Sequence, residues 1–430
     1  MAMVVKNNMS AISTLNTLNK NSSALSKSLQ KVSSGMKING AADDASGYAI
    51  SERMRVQIRG LDQANQNTQN GSSMMKVAEG AVSSTVDILK TLKEKVINAA
   101  NDTNTDADRQ TIQKELDQSI DQINDNANVT YNGKYLVDGS HNSSVTATTT
   151  SMTNQSLNTK TAFASTFTAL TDRNGNSLNI QSSDTITFSY VKEGKTTTVS
   201  VSGASSITDL INKVSTDVKA GTADSVIGKD VAGDTVYTAD GQSALTLKAN
   251  GTGIEKQISG ITFSVTDTKG NVKKSANALL DNFSESIRAQ NGSLDNSINL
   301  QVGTKSNQAI KVGLTDMRAE ALGLQAKDGT TLNISTKDYA NAAINVLDNA
   351  VQKALDQQTT IGAVQSRLEY TSSNLTTASE NVQSSESTIR DADMAKEMTN
   401  YTKNNVLMQA AQAMLSQANQ SSSSVLSLLQ

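Results

Sequence analysis

The chain has 430 residues, of which 36% are hydrophobic and 3% aromatic, and its formal net charge is −3. It contains no Cys, Pro or Trp and one histidine, His141, which excludes disulfides, thiolate metal sites, Cys nucleophiles and a His-rich zinc site. Because it also lacks a basic block, nucleic-acid binding is a poor fit, and we expect no metal, no cofactor and no enzyme activity.

The first residues, MAMVVKNNMSAISTLN, lack the basic end, apolar region and cleavage site of a signal peptide. No apolar run approaches the roughly 18 residues that a membrane-spanning helix needs. Taken alone, these features predict a soluble, cytoplasmic protein.

Residues 1–36 predict an amphipathic helix, because their apolar residues recur at spacings of three, four and seven. Most other positions are Ser or Asn, which are only fair helix formers, so the helix should depend on a partner for its stability. The apolar positions of this face are Val5, Met9, Ile12, Leu15, Leu18, Leu25, Leu29, Val32 and Met36.

A loop follows at Ser33-Ser34-Gly35, and a second helix is predicted to begin near Asp43 and Asp44. Carboxylates at that point complement the positive end of the helix dipole. They would also repel a phosphate, and the phosphate-loop pattern G-x-x-x-x-G-K-[ST] is missing, so nucleotide binding is excluded.

From Leu61, two rows of residues (seams) recur every seven positions, one with mostly large apolar side chains and one with mostly small side chains. This pattern predicts tightly packed helices. A turn over 98–109, a third helix over 105–126 and a hairpin at Asn132-Gly133 follow. The large seam consists of Leu61, Thr68, Met75, Val82, Leu89 and Val96.

At about residue 140 the composition becomes rich in Thr, Ser and Gly, and it stays so to about 295. Alternating segments predict several strands, including a hairpin over 184–201 and a short Ser-capped helix after it. We interpret this region as an inserted, exposed β-rich module with a polar face. Its stretch Ser143–Thr171 is predicted to be a solvated linker, and O-linked sugars there are an open alternative.

After two predicted strands over 297–314 and a short helix over 315–324, a long helix carries another seven-residue apolar repeat. At about 1.5 Å per residue it would be on the order of 60 Å long, and a seam of that length needs partner helices. The seam consists of Leu347, Ala354, Ile361, Leu368, Leu375, Val382 and Ile389.

A last amphipathic helix is predicted from Met394, with an interruption at Ser421–Ser424 and a small apolar tail ending at Leu428 and Leu429. The order of elements mirrors that of the N-terminal part, so the two ends are expected to pair. The apolar face of this helix holds Met394, Met398, Tyr401, Leu407, Ala411, Met414, Leu415 and Ala418.

Several motifs in these segments closely resemble those of bacterial flagellin, and the resemblance covers about residues 1–140 and 297–430. The insert is similar, more weakly, to the β-β-α module of flagellins and hook-associated proteins. The matching motifs are VSSGMKINGAADDASGYAISERM, TYNGKYLVDGS, DMRAEALGL, AVQSRLEYTSSNL and IRDADMAKEMTNYTKNNVLMQAAQAML followed by SVLSLL.

The resemblance implies a mainly α fold, with long terminal coiled-coil and heptad helices in an elongated bundle and an outward-facing β-rich (α+β) insert. Residues 1–44 would form an inner-core helix and loop paired with 394–430. Residues 45–140 and 297–393 would form the two parts of an outer helical tube, and 141–296 the variable surface insert.

The resemblance also implies a function, that of a structural subunit which polymerises into the extracellular flagellar filament for swimming. Members of the family leave the cell unfolded through a flagellar type III channel, without a cleaved signal, and their terminal helices order on assembly. The inner core would be packed by Val5, Ile12, Leu15, Leu18, Leu25, Leu29, Met398, Leu407, Met414, Leu415, Leu428 and Leu429.

The partners implied are many copies of the chain, an export chaperone at the C-terminal segment, and hook-associated and cap proteins. The fifth Toll-like receptor, which reads Q-R-x-R-E-L-A-V-Q in many flagellins, would meet Lys90–Asn98 here. Glu94 matches this motif and Lys93 keeps a charge, whereas Thr91 and Lys95 depart from it. Because Thr cannot replace the planar donor fork of Arg, we expect weak signalling.

Three other interpretations remain open. A hook–filament junction protein shares the terminal helices, although such proteins usually depart further from these motifs. An enzyme carried in the insert is disfavoured by the lone His141 and the missing zinc motif. A coiled-coil adhesin would need a signal peptide and a membrane anchor.

Overall fold

A computed structural model describes residues 8–428, apart from the side chains of residues 422 and 425–428. Three residues assigned to the inner core therefore lie outside this description: Val5, Leu429 and the side chain of Leu428. The predicted class, mainly α with long terminal helices and a central β-rich region, is confirmed. The helices are α1 Met9–Ser34, α2 Ala45–Ala99, α3 Asp106–Ala127, α4 Ile207–Val214, α5 Lys274–Leu280, α6 Ala319–Leu322, α7 Lys337–Arg390 and α8 Met394–Leu428.

The strands form one three-stranded sheet, in the order β10-β4-β5, one four-stranded sheet, in the order β11-β3-β9-β6, and three two-stranded pairs. Described pairs within both larger sheets are antiparallel. The strands are β1 Thr130–Tyr131, β2 Lys134–Tyr135, β3 Ser151–Asn154, β4 Thr185–Lys192, β5 Lys195–Ser202, β6 Val218–Asp224, β7 Val226–Lys229, β8 Thr235–Tyr237, β9 Ala244–Ala249, β10 Ile258–Thr266, β11 Phe283–Ile287, β12 Ile298–Gln301 and β13 Ala309–Val312.

The chain forms two compact units. The first contains the residues up to Thr68, the segment Gln301–Gln308 and the residues from Tyr370 onward. The second contains Gln69–Leu300 and Ala309–Glu369, so the β-rich region shares a unit with α3 and parts of α2 and α7. The division into five domains and the outward orientation of the insert stay predictions.

In the first unit, α1 packs against α8. The Asn8 side chain accepts a hydrogen bond from the Ala11 amide at the start of α1, and Gly35 ends the helix with φ +70°, a conformation that glycine adopts without strain. The interruption predicted at Ser421–Ser424 is wrong, because α8 continues to Leu428. A Ser inside a helix lowers its stability by only a few tenths of a kcal/mol relative to Ala. In addition, Ser421 Oγ donates a hydrogen bond to the Ala418 carbonyl at 2.9 Å.

The helical part of the second unit has a conventional buried core. Leu116, Ile120 and Ile123 of α3 are fully buried, as their spacing predicts. Arg109 of α3 is buried, and its guanidinium reaches the end of α2, where it donates to the carbonyls of Ala99 at 2.9 Å and Asn101 at 3.0 Å. These bonds satisfy carbonyls that a helix C-terminus leaves unpaired.

The β-rich region has its own hydrophobic core, which its polar composition did not predict. Phe188 of β4 and Phe263 of β10 pack with their ring centroids 4.8 Å apart, within a cluster that also takes in α4 and α5. The hairpin predicted over 184–201 is confirmed as β4 and β5, joined through Glu193 and Gly194 with positive φ.

The solvated linker predicted for Ser143–Thr171 is also wrong. All four residues of β3 are buried, and the strand lies between β11 and β9. Two of its three polar side chains find partners inside the protein: Thr153 Oγ1 lies 3.1 Å from Thr246 Oγ1, and Asn154 Nδ2 donates to the Leu279 carbonyl at 2.8 Å. A polar strand can be buried once such bonds are made, which composition does not reveal.

Candidate assembly surface

The contact between α1 and α8 is made largely by small and polar residues. Ser28 is buried against α8, where the Asn404 amide donates to its hydroxyl at 3.0 Å. Asn21 Nδ2 donates to the Leu407 carbonyl at 3.2 Å, and Asn8 Nδ2 donates to the Ala418 carbonyl at 3.1 Å. Polar side chains therefore contribute several of the bonds that join the two helices.

Of the nine inner-core side chains that the structure describes, six remain exposed in the single chain. By contrast, Leu18, Leu25 and Leu415 are half-buried. We call the exposed group the exposed apolar set: Ile12 46%, Leu15 45%, Leu29 51%, Met398 45%, Leu407 41% and Met414 62% exposed.

The heptad seam residues are buried within the two units, except Val382 and Ile389, which are half-buried. In the first unit, Leu61, Ala64 and Leu375 form a small cluster against which Ala378 and Val382 pack. In the second unit every seam residue named from the sequence is fully buried: Met75, Val82, Leu89, Val96, Leu347, Ala354, Ile361 and Leu368. Their assignment to a tube in the assembled state stays a prediction.

An arginine at the end of α7 organises the loop between α1 and α2 in the first unit. Arg390, 5% exposed, donates to Glu52 Oε1 at 2.7 Å and lies 5.5 Å from the Tyr48 ring centroid. Its hydrogen bond is the main reason that the pKa of the Glu52 carboxyl is lowered. Its backbone carbonyl accepts from the Lys37 amide at 2.7 Å.

Sequence reasoning missed this arginine cluster. Glu52 and Arg390 both fall within motifs that carry the family resemblance, SERM and IRDAD. The opposite charges of Glu52 and Arg390, in two segments expected to pair, could have suggested this contact. A sequence alone does not show which charges meet.

The stretch proposed as a receptor contact is already engaged in ion pairs. Lys93 pairs with Asp348 of α7, and Lys95 Nζ lies 3.1 Å from Glu115 Oε1 of α3. Glu94 is exposed. A partner protein that used Lys93 would have to compete with Asp348.

Within residues 8–428, no group of three or more His, Cys, Asp or Glu side chains is arranged to hold a metal ion. No helix in that range has a stretch apolar enough, over a sufficient length, to cross a membrane.

Paired terminal helices that meet partly through hydrogen bonds and leave large apolar side chains exposed are typical of a helical structural protein. The chain belongs to the bacterial flagellin family. The family's N-terminal helical region matches residues 5–142, and its C-terminal helical region matches residues 344–429.

Two similar proteins cover almost the whole chain. The flagellin of Clostridium tyrobutyricum is 35% identical over 422 residues, 97% of this chain and 99% of that protein. The flagellin of Bacillus subtilis strain 168 is 30% identical over 447 residues, covering 99% of this chain and all of that protein.

A solved structure of a flagellar hook associated protein-3 from Legionella pneumophila is 13% identical, over 78% of this chain and 97% of that one, with a TM-score of 0.34. A likeness this low carries no argument for the junction-protein alternative. The near-full-length identity to flagellins therefore decides between the two in favour of a filament subunit.

Proposed function

We propose that this chain is the structural subunit that polymerises into the extracellular helical filament of a bacterial flagellum and thereby serves swimming motility. The observation that carries the proposal is the exposed apolar set, which lies on two helices that already contact each other through Ser28 and Asn21. Full burial of one large apolar side chain is worth about 1.5–3 kcal/mol. Contacts with other copies would supply this burial, and the lone chain does not.

We propose further that α1 and α8 gain most of their stability in the filament. α1 is rich in Ser and Asn, and isolated helices of such composition are marginal in water. Ordering these segments costs conformational entropy, which the contacts between copies must exceed. The five-domain arrangement predicted from the sequence fits this division between inner helices and outer tube.

Export through the flagellar type III channel would require the terminal segments to be kept from associating inside the cell. A chaperone that covers α8 before export is supported by its exposed Met398, Leu407 and Met414. Hook-associated and cap proteins would then meet the two ends of the growing filament.

Recognition by the fifth Toll-like receptor is proposed to be weak. Thr91 and Lys95 depart from the receptor motif. In addition, Lys93 and Lys95 are already engaged in ion pairs within the chain. A reporter-cell assay with purified monomer checks this, and full potency would count against it.

The polymerisation test uses seeds made by shearing filaments. Purified chain added to seeds should extend them, as seen by negative-stain electron microscopy. The double variant Ile12→Ser/Leu15→Ser should fail, whereas Ser22→Ala/Ser26→Ala, changed at two exposed polar positions of the same helix, should extend seeds normally. Normal extension by the first variant would show that the exposed apolar set is not needed for polymerisation. Failure of the unaltered chain to extend seeds would contradict the proposed function.

A further inference from the structure

Asparagine followed by glycine is the dipeptide most prone to spontaneous deamidation, because glycine has no side chain to hinder ring closure. The chain has six such pairs, at 39–40, 70–71, 132–133, 174–175, 250–251 and 291–292. Structure decides which of them can react, since the asparagine amide must be free to move and the following backbone nitrogen must be able to attack it.

The pair Asn132-Gly133 is the one that the fold leaves least restrained. It forms the two-residue turn between β1 and β2, with φ +50° at Asn132 and +76° at Gly133. Both residues are exposed. Within the described range, neither the Asn132 side chain nor the Gly133 amide makes a hydrogen bond.

Two other pairs are tied down by their side chains. Asn250 Nδ2 donates to two backbone carbonyls just after α4, each at 3.1 Å. Asn291 Oδ1 accepts from the Ile254 amide at 3.0 Å. The pair at 70–71 lies inside α2, where the helix fixes the backbone.

The remaining two pairs are restrained more weakly. The Gly175 amide donates to the Asp172 carbonyl at 3.0 Å, so the nitrogen that would attack Asn174 is already in a hydrogen bond. Asn39 Nδ2 donates to the Met36 carbonyl at 3.4 Å. Asn39 and Asn174 should therefore deamidate more slowly than Asn132 but faster than the asparagines at 70, 250 and 291.

We propose that Asn132 is a site of spontaneous, non-enzymatic modification in the folded protein. The Gly133 nitrogen attacks Asn132 Cγ and loses its proton as the new N–C bond forms. The bond from Cγ to the amide nitrogen breaks, and ammonia leaves. Water then opens the resulting succinimide ring at either carbonyl, which gives aspartate or isoaspartate. No oxidation or reduction occurs, and solvent water is the only co-reactant.

The product changes both charge and backbone at a sensitive point. Isoaspartate passes the chain through Cβ, which adds one atom to a turn whose two residues set the β1–β2 register. Leu136 and Val137, directly after β2, are fully buried, and the Leu136 amide donates to the Val129 carbonyl at 3.3 Å. Modification should therefore loosen this hairpin and place a carboxylate beside Lys134. Older copies of the protein should carry the change more often than newly made ones.

The test ages the purified full-length chain in mildly alkaline buffer and maps its peptides by mass spectrometry, with enzymatic methyl transfer to detect isoaspartate. The variant Asn132→Asp supplies the aspartate product as a chromatographic standard. We expect position 132 to convert severalfold faster than positions 250 and 291, with isoaspartate as the main product. A parallel sample in concentrated urea should convert all six pairs at similar rates.

Two results would overturn the proposal. One is conversion at 250 or 291 as fast as at 132 in the folded chain. The other is an intact amide at Asn132 while Asn174 or Asn39 converts. Both can be read without filament assembly, so failure here leaves the proposed function untouched.

Discussion

The Asn349 side-chain amide donates a hydrogen bond to the backbone carbonyl of Ser259 at 2.8 Å. One turn earlier on α7, Asn345 does the same for the carbonyl of Ile261 at 2.9 Å. β10 is an edge strand of its sheet, and an edge leaves its carbonyls unpaired. Asparagines spaced by four residues along α7 therefore close this edge within the second unit.

The double variant Asn345→Leu/Asn349→Leu should destabilise the second unit. Ser259 and Ile261 are each 2% exposed, and an unpaired buried carbonyl costs about 1–3 kcal/mol. Urea unfolding followed by circular dichroism measures the change in free energy. Gln352→Leu, at an exposed position of the same helix, is the control and should change stability by less than about 0.5 kcal/mol. Equal effects of the two changes would show that the edge bonds contribute nothing.

Gly260 allows α7 to approach β10, which predicts opposite effects for two glycine substitutions. A Cβ at position 260 would lie 2.9 Å from Val346 Cγ2 and 3.0 Å from the Val346 nitrogen, so Gly260→Ala should cost about 1–3 kcal/mol. A Cβ at Gly80, within α2, meets nothing within 4 Å. Gly80→Ala should therefore stabilise by about 0.5–1 kcal/mol. A stabilising Gly260→Ala in thermal unfolding would contradict the close approach.

Asp281 makes the stability of the second unit depend on pH. Burial raises its pKa to about 6 from the ordinary 3.8, so between these values the folded chain holds a proton that the unfolded chain has lost. This group therefore adds stability as the pH falls from about 6 to about 4. Asp281→Asn keeps an acceptor for the Phe263 amide, which donates to Asp281 Oδ1 at 2.6 Å.

The variant Asp281→Asn should be more stable than the original chain by about 3 kcal/mol above pH 6, and the difference should vanish below about pH 4. The difference between the two free energies of unfolding, measured across this range, isolates the group from the other carboxylates. A difference that is constant with pH would mean that the raised pKa is absent.

Arg390 should hold the loop after α1 in place. Replacing it with Gln removes the bond to Glu52 at 2.7 Å and the contact with the Tyr48 ring. We expect faster tryptic cleavage after Lys37 in Arg390→Gln than in the original chain. Arg53→Gln, at an exposed position of α2, should leave that cleavage unchanged.

The helices, their seams and the tight turns were predictable because each depends on local spacing. Ala354, Ile361 and Leu368 recur every seventh residue and are buried, and Asn132-Gly133 forms a hairpin turn. The buried polar strand β3 was not predictable, since Thr153 and Asn154 resemble loop residues until their distant partners are known.

The candidate surface was predictable only in part. The spacing of Ile12 and Leu15 identified an apolar face, but it did not reveal that both residues stay exposed while Ser28 and Asn21 form hydrogen bonds with α8. Which face a weak helix buries depends on the shape of its partner, and one sequence does not give that shape. The contacts of Arg390 with Glu52 and Tyr48, and those of Asn345 and Asn349 with β10, depend on distant pairings in the same way.

The central claim is that the terminal helices are completed by other copies, and hydrogen exchange measured by mass spectrometry tests it most directly. Backbone amides of Met9–Ser34 and of 394–420 should exchange quickly in the free subunit and slowly in the filament. Amides of α3 should be equally protected in both states and serve as the internal control. Slow exchange of both terminal segments in the free subunit already, with no further change on assembly, would contradict the account.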